Sequence, residues 1–109
     1  MAWLIRDGQV LASLEVARGS ERRLKWLADA SLGEGAFLVT GAKAAHSLGS
    51  HSAVDVAWLD DQMTVIALSR LRPFSLALPR RRATSVLYAS AGAFGRWHLV
   101  VGDSLELKE

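Results

Sequence analysis

Cysteine is absent from this chain of 109 residues, and only two prolines occur. The lack of thiols excludes a disulfide framework, thiol catalysis and thiolate metal sites. No apolar run approaches the roughly 20 residues needed to span a bilayer, and charged and polar residues interrupt the N-terminal segment 1–16. We therefore predict no membrane span, no anchor, no signal peptide and a cytoplasmic location.

The composition is that of a globular protein, with 50% hydrophobic and 22% charged residues. The length matches the commonest domain size, so we expect residues 1–109 to form a single domain. The net charge of +2 is unevenly placed, because residues 1–69 contain six basic and eight acidic side chains and residues 70–109 contain seven and three. Such asymmetry can mark an anion-binding surface, although it also suits solvated loops.

The N-terminal segment predicts a β-hairpin of two strands, Ala2 to Arg6 and Gln9 to Val16. Asp7-Gly8 between them is a dipeptide typical of a tight two-residue turn. The following segment, Ser20 to Leu32, predicts the main helix, because Ser20 can cap it and the leucines after it recur on one face.

The remainder predicts several short strands and one short helix. The loop 41–52 joins two of these strands, and function often lies in such loops. The hairpin of strands 53–59 and 63–68 is expected to form the centre of the sheet. The other predicted elements are the strands 35–40, 84–89, 98–101 and 105–107, an edge strand at 74–78, and a short helix within 90–96. The predicted fold class is α+β, a small strand-rich bent sheet or partly closed barrel with one main helix and one short helix.

Three groups of residues in this chain carry a family resemblance. The first group is Glu15-Val16-Ala17 through Arg22-Arg23-Leu24, with the strand Gly35 to Val39. The second is Ala45-His46-Ser47-Leu48-Gly49, with Asp55 to Asp60. The third is Val86 to Tyr88, with Ala91-Gly92 and Val101 to Leu105. Together they resemble the domain of unknown function 192 family, in the variant common among bacterial, especially actinobacterial, sequences.

This resemblance implies a compact α+β domain and no established reaction. Relatives of this type often accompany pilus or secretion genes, so the resemblance also points to an association with that machinery. Two positions depart from the family pattern, because Ser50 stands where relatives carry methionine and Tyr88 where many carry glutamate. An activity that depended on those positions would be lost or changed here.

The loop and the strand that follows it contain the candidate ligand-binding residues, which are His46, Ser47, Gly49, His51 and Asp55. Two imidazoles and a carboxylate could converge on a metal or act as acid and base, but five-residue spacing on a loop is equally compatible with ordinary polar contacts. Asp55 lies in an apolar strand, so its carboxylate needs a partner. We favour a structural one, either the N–H groups of residues 47–52 or an arginine such as Arg23.

A basic segment contains five arginines around Phe74, namely Arg70, Arg72, Arg80, Arg81 and Arg82. They could neutralise phosphates of nucleic acid or of an anionic membrane, but one aromatic residue is too few for a base-stacking platform. An exposed connection kept soluble by its charge explains the segment equally well.

We therefore predict a non-catalytic accessory or binding module that uses the segment 46–55 and the nearby sheet edge to engage a protein partner or small ligand. No cofactor and no metal are predicted. The alternatives are an enzyme, metal-dependent or acid/base, that uses the same segment, and a weak nucleic-acid binder that uses the basic segment. The oligomeric state is left open.

Overall fold

The computed structural model describes residues 2–17 and 35–109. Within these ranges the chain forms nine strands and one helix of four residues. In chain order they are β1 (Ala2–Arg6), β2 (Gln9–Ala17), β3 (Ala36–Thr40), β4 (Ala45–His46), β5 (Val54–Leu59), β6 (Val65–Leu71), β7 (Leu76–Ala77), β8 (Ser85–Ser90), α1 (Ala93–Arg96) and β9 (Glu106–Lys108).

Seven of these strands form one mixed sheet in the order β6-β5-β8-β3-β2-β1-β9. β2 and β3 run parallel, and the other neighbours in this sheet are antiparallel. The sheet is not a closed barrel, although an isolated bridge between Thr64 and Ser104 links the regions next to its two outer strands. The prediction of a strand-rich fold built on a sheet is therefore confirmed.

The predicted main helix, residues 20–32, lies outside the described residues. Among the residues that are described, α1 is the only helix, and it fits inside the predicted short helix 90–96. No helix in the described ranges is long and apolar enough to cross a membrane.

The N-terminal hairpin forms as its sequence predicts. β1 pairs with β2 in antiparallel register, and both turn residues adopt left-handed backbone conformations, with φ of 52° at Asp7 and 78° at Gly8. Two successive positive φ angles match the twist of the flanking strands, and aspartate and glycine tolerate that conformation best.

The predicted sheet centre is wrong. The hairpin of β5 and β6 exists, but β6 is the outermost strand on one side, and the middle position belongs to β3, between β8 and β2. β3 and β8 are almost entirely buried, whereas β6 is half exposed. All three strands are apolar runs, and composition alone does not determine which run acquires neighbours on both sides. The predicted strand 98–101 is also wrong, because these residues form no strand.

Alternating side chains of the large sheet build two separate hydrophobic clusters. On β5, Ala57 and Leu59 belong to the cluster that includes Phe94 of α1, and Val54, Val56 and Trp58 belong to the other. We call the two sides of the sheet the Phe94 face and the Trp58 face. Because successive strand residues point to opposite sides, the position of Asp55 next to Val54 places it on the Phe94 face.

A second, two-stranded sheet of β4 and β7 packs against the Trp58 face. Ala45 pairs with Ala77, and both contact the Trp58 cluster. β4 lies within the segment predicted as loop 41–52, and β7 lies within the predicted edge strand 74–78. This small sheet positions the remaining candidate site residues.

Candidate functional site

Asp55 is the most deeply buried charged group among the described residues, with its side chain only 4% exposed. Its Oδ1 accepts a hydrogen bond from Arg70 Nε at 2.8 Å, since Arg70 lies directly opposite it on β6. Its Oδ2 accepts from the backbone N–H groups of Gly92 at 3.0 Å and Phe94 at 3.2 Å. Both carboxylate oxygens are therefore bonded within the protein.

The arrangement ties α1 to the sheet. The chain leaves β8, turns at Gly92 with φ of 94°, and starts α1 with its free N–H groups directed at Asp55. A carboxylate in this place satisfies amide donors that the helix itself leaves unpaired. The prediction that Asp55 needs a partner is confirmed, but the partners in the structure are Arg70 and α1 rather than residues 47–52, and Arg23 lies outside the described residues.

Arg70 itself is largely solvent-exposed, at 59% for its side chain. Its hydrogen bond to Asp55, with the attraction of that carboxylate, raises the pKa of the Arg70 guanidinium above its ordinary value. Because the pKa of Arg70 is raised in the folded protein, its guanidinium keeps its charge at every pH below the ordinary arginine value and stays cationic throughout the range in which proteins are handled.

A shallow cavity of about 270 Å³ opens beside this ion pair. Its lining residues are Asp55, Leu68, Ser69, Arg70, Phe94 and Gly95. Neither histidine of the candidate site lines it.

His46 and His51 lie on the opposite side of the sheet from Asp55. The backbone N–H of His46 donates to the hydroxyl of Tyr88, which belongs to the Trp58 cluster, and its Nδ1 accepts from the N–H of Leu48 at 3.2 Å. The His51 ring packs edge-on against Phe74, with ring centroids 5.7 Å apart. The sheet thus separates the carboxylate from the imidazoles, and no group of His, Asp or Glu in residues 2–17 and 35–109 has a metal-binding arrangement.

Ser47 holds the two strands of the small sheet together, a role that its sequence context did not reveal. The residue is completely buried. Its Oγ donates to the carbonyl oxygen of Arg72 and accepts from the backbone N–H of Ser75 at 2.8 Å. Gly49, two residues later, has φ of 90°, which is the conformation that favours glycine.

The two departures from the family pattern are both buried. The Ser50 hydroxyl donates to the carbonyl oxygen of Ser52 at 2.6 Å, so it stabilises its own loop. Tyr88 lies in the Trp58 cluster, and its hydroxyl accepts the His46 N–H at 3.4 Å. Both side chains therefore support the segment that carries His46.

The basic segment divides into two parts. Arg70 belongs to the ion pair with Asp55, whereas Arg72, Arg80, Arg81 and Arg82 are exposed and form no ion pair with any described residue. The guanidinium of Arg80 lies over the Trp58 ring, 5.0 Å from its centroid. The segment between these arginines is held at the surface of the Trp58 face.

That intervening segment exposes apolar side chains, which the sequence did not indicate. Phe74, Leu76 and Leu78 are 57%, 74% and 84% exposed, whereas the alternate residues Ser75 and Ala77 are only half-exposed. We call Phe74, Leu76, Leu78 and the four exposed arginines the β7 surface.

Comparisons with known proteins agree with this fold. The model of the domain of unknown function 192 family (DUF192), described as an uncharacterized ACR, matches residues 2–107. A comparison with curated proteins found no match.

Two crystal structures share the architecture. A protein of unknown function from Novosphingobium aromaticivorans DSM 12444 superimposes with a TM-score of 0.74 at 19% identity, over 96% of this chain and 82% of that one. A protein from Sinorhizobium meliloti 1021, named a "putative transcription regulator", gives a TM-score of 0.75 at 19% identity, over 96% and 90%. At this level of identity the likeness shows the fold alone.

Proposed function

The chain belongs to the domain of unknown function 192 family, and we propose that it is a non-catalytic binding module that engages its ligand through the β7 surface and the adjoining loop 46–51. This proposal keeps the predicted loop and the nearby sheet edge as the binding region. It leaves Asp55 out, because that carboxylate is bonded to Arg70 and to α1 on the other face of the sheet.

One observation carries the proposal. Leu76 and Leu78 are among the most exposed large apolar side chains of the described residues, at 74% and 84%. Burying a leucine side chain fully contributes about 1.5–3 kcal/mol to folding or binding, and this segment leaves that contribution unused. Contiguous exposed apolar residues bordered by polar ones are typical of interaction sites.

The exposure is a property of a well-bonded segment. The Ser47 hydroxyl donates a hydrogen bond to the carbonyl oxygen of Arg72 and accepts one from the N–H of Ser75, on either side of Phe74. The Phe74 N–H itself donates to the carbonyl oxygen of Ser47 at 3.1 Å. Farther along, the N–H of Arg80 donates to the carbonyl oxygen of Lys43 at 2.9 Å. The binding surface is therefore preorganised, which reduces the entropic cost of association.

Nucleic acid is a second candidate ligand. Arg80, Arg81 and Arg82 are consecutive, exposed cations, and the Sinorhizobium neighbour is named for transcription regulation. Binding to phosphates would fall steeply with salt and would vanish in a variant with Arg80, Arg81 and Arg82 replaced by alanine. Weak retention that is insensitive to salt would count against this candidate.

Backbone-amide NMR spectra of the isotope-labelled chain test the proposal directly. Three probes would be added stepwise at two salt concentrations: a short DNA duplex, a peptide rich in aspartate, glutamate and leucine, and bicelles that contain phosphatidylglycerol. We expect shifts of amides within 46–51 and 72–82 with at least one probe, while amides around Asp55 and α1 stay unchanged. Spectra unchanged by all three probes would contradict a binding role for the β7 surface.

A further inference from the structure

The apolar side chains of the β7 surface project into solvent, each with more than half of its surface exposed. Phe74, Leu76 and Leu78 line neither the cavity beside Asp55 nor the cavity of about 470 Å³ next to Trp3 at the other end of the sheet. Their exposure rises along the segment, from 57% to 84%. Projecting side chains need a partner that provides a pocket or that deforms around them.

The backbone holds these side chains outward. Phe74 has a left-handed conformation with φ of 55°, which is rare for a bulky residue, and its N–H is fixed by the carbonyl of Ser47. Pro73 and Pro79 enclose the segment at its two ends and restrict the backbone further. These constraints limit the conformations that the exposed segment can adopt.

Positive charge flanks the three apolar residues along the chain. Arg72 precedes them, Arg80, Arg81 and Arg82 follow them, and the sequence contains no acidic residue from position 62 to position 102. The segment therefore combines exposed apolar side chains with exposed cations on both sides of it in the chain. An occupant that is anionic at its surface and apolar beneath it complements both features.

We infer that the β7 surface docks the protein onto anionic lipid bilayers, with Phe74, Leu76 and Leu78 entering the boundary between headgroups and acyl chains and the arginines contacting lipid phosphates. This inference rests on the proposed function and names its ligand. A bilayer deforms around projecting leucines, whereas a folded protein surface accommodates them only where it has a matching pocket. Leucines offer nucleic acid no stacking surface, and Phe74 is the single aromatic residue of the set. Apolar insertion combined with electrostatic attraction is a general mode of interfacial binding.

Sedimentation of the intact chain with vesicles tests the inference. Vesicles of phosphatidylcholine with phosphatidylglycerol would be compared with pure phosphatidylcholine vesicles, at low and physiological salt. We expect binding to the anionic vesicles only, and a loss of about tenfold in the partition coefficient for each of Leu76→Ser and Leu78→Ser. A double variant, Arg81→Gln and Arg82→Gln, should bind several-fold more weakly and show a shallower salt dependence.

Matched controls separate this effect from unfolding and from total charge. Val101→Ser removes an apolar side chain that is 60% exposed outside the β7 surface, and Lys108→Gln removes an exposed cation at the other end of the sheet. Both controls should bind like the unchanged protein. In bicelles with spin-labelled acyl chains, amides of residues 74–78 should broaden before all others.

The outcomes also distinguish this inference from the proposed function. Binding of the duplex or the acidic peptide to the β7 surface without vesicle binding would keep the module and overturn the lipid inference. Vesicle binding unaffected by both serine variants, or equal loss in the Val101→Ser control, would overturn it as well. Self-association of the free chain that Leu78→Ser abolishes would assign the surface to a second copy instead.

Discussion

At the scale of single residues, the carboxylate of Asp55 is stabilised by two kinds of partner that contribute unequally. Arg70 is 59% exposed, so solvent screens its attraction for Asp55. The N–H of Phe94 is buried and that of Gly92 is partly buried, and both would lose their acceptor without the carboxylate. We therefore expect the amides, and not the salt bridge, to dominate the contribution of Asp55 to stability.

Substitutions that remove the amide bonds of Asp55 should therefore destabilise the protein more than a substitution that removes only its salt bridge. Asp55→Ala should lower the free energy of unfolding by about 2–4 kcal/mol, because it leaves buried amide donors unpaired. Asp55→Asn keeps one carbonyl acceptor and should cost about 1–2 kcal/mol, and Arg70→Gln about 1 kcal/mol or less. Urea unfolding of the three variants measures the order. An Arg70→Gln cost equal to that of Asp55→Ala would show that the ion pair dominates.

At the scale of elements, the small sheet of β4 and β7 has only two residues in each strand, so its own ladder provides little stability. The buried hydroxyl of Ser47 supplies bonds that the ladder lacks, one to Arg72 and one to Ser75. Packing of Ala45 and Ala77 on the Trp58 cluster adds the rest. The outward position of Leu76 and Leu78 depends on this attachment.

Ser47→Ala should release β7 while leaving the large sheet intact. The loss of two hydrogen bonds at a buried site predicts a destabilisation of about 1–3 kcal/mol, concentrated in the segment 72–78. Amide hydrogen exchange should therefore accelerate at Ser75 and its neighbours and stay unchanged in β3 and β8. Ser69→Ala, at an exposed position on β6, is the control and should alter neither measurement. Uniformly faster exchange over the whole chain would contradict a local role.

At the scale of the whole molecule, Arg6 joins the N-terminal hairpin to the segment before β9. Its guanidinium donates to Asp103 Oδ2 at 3.0 Å and to the carbonyl oxygens of Trp97 at 2.6 Å and His98 at 3.1 Å. The Arg6 and Asp103 side chains are 17% and 21% exposed, so both are mostly shielded from solvent. Together with the pairing of β1 and β9, these bonds fasten the far ends of the chain.

Arg6→Gln should therefore destabilise the whole fold by about 2–3 kcal/mol, because two carbonyl groups and a carboxylate lose a charged donor. Thermal unfolding should remain a single transition with a lower midpoint. Arg96→Gln removes an exposed arginine and should shift the midpoint much less. Equal shifts in the two variants would show that the bonds of Arg6 add nothing beyond its charge.

Local chemistry explains which parts of this fold the sequence predicted. The hairpin at Asp7-Gly8 and the strands β3, β5 and β8 follow from turn residues and from short apolar runs, which depend on neighbours in sequence. The requirement of Asp55 for a partner followed in the same way, from the cost of burying a charge. The identity of that partner did not, because Arg70 and α1 reach Asp55 only through the pairing of β5 with both β6 and β8.

By itself, then, the sequence determined the strand-rich composition of the fold, the turn at Asp7-Gly8, the need of the buried Asp55 carboxylate for a partner, and the family. Only the tertiary structure decided that β3 rather than β5 and β6 lies in the middle, that the sheet separates Asp55 from His46 and His51, and that Leu76 and Leu78 point outward. The physical reason is that a side chain's face and neighbours depend on strand register and strand order. Those are set by contacts between residues far apart in the chain, which periodicity within a segment does not encode.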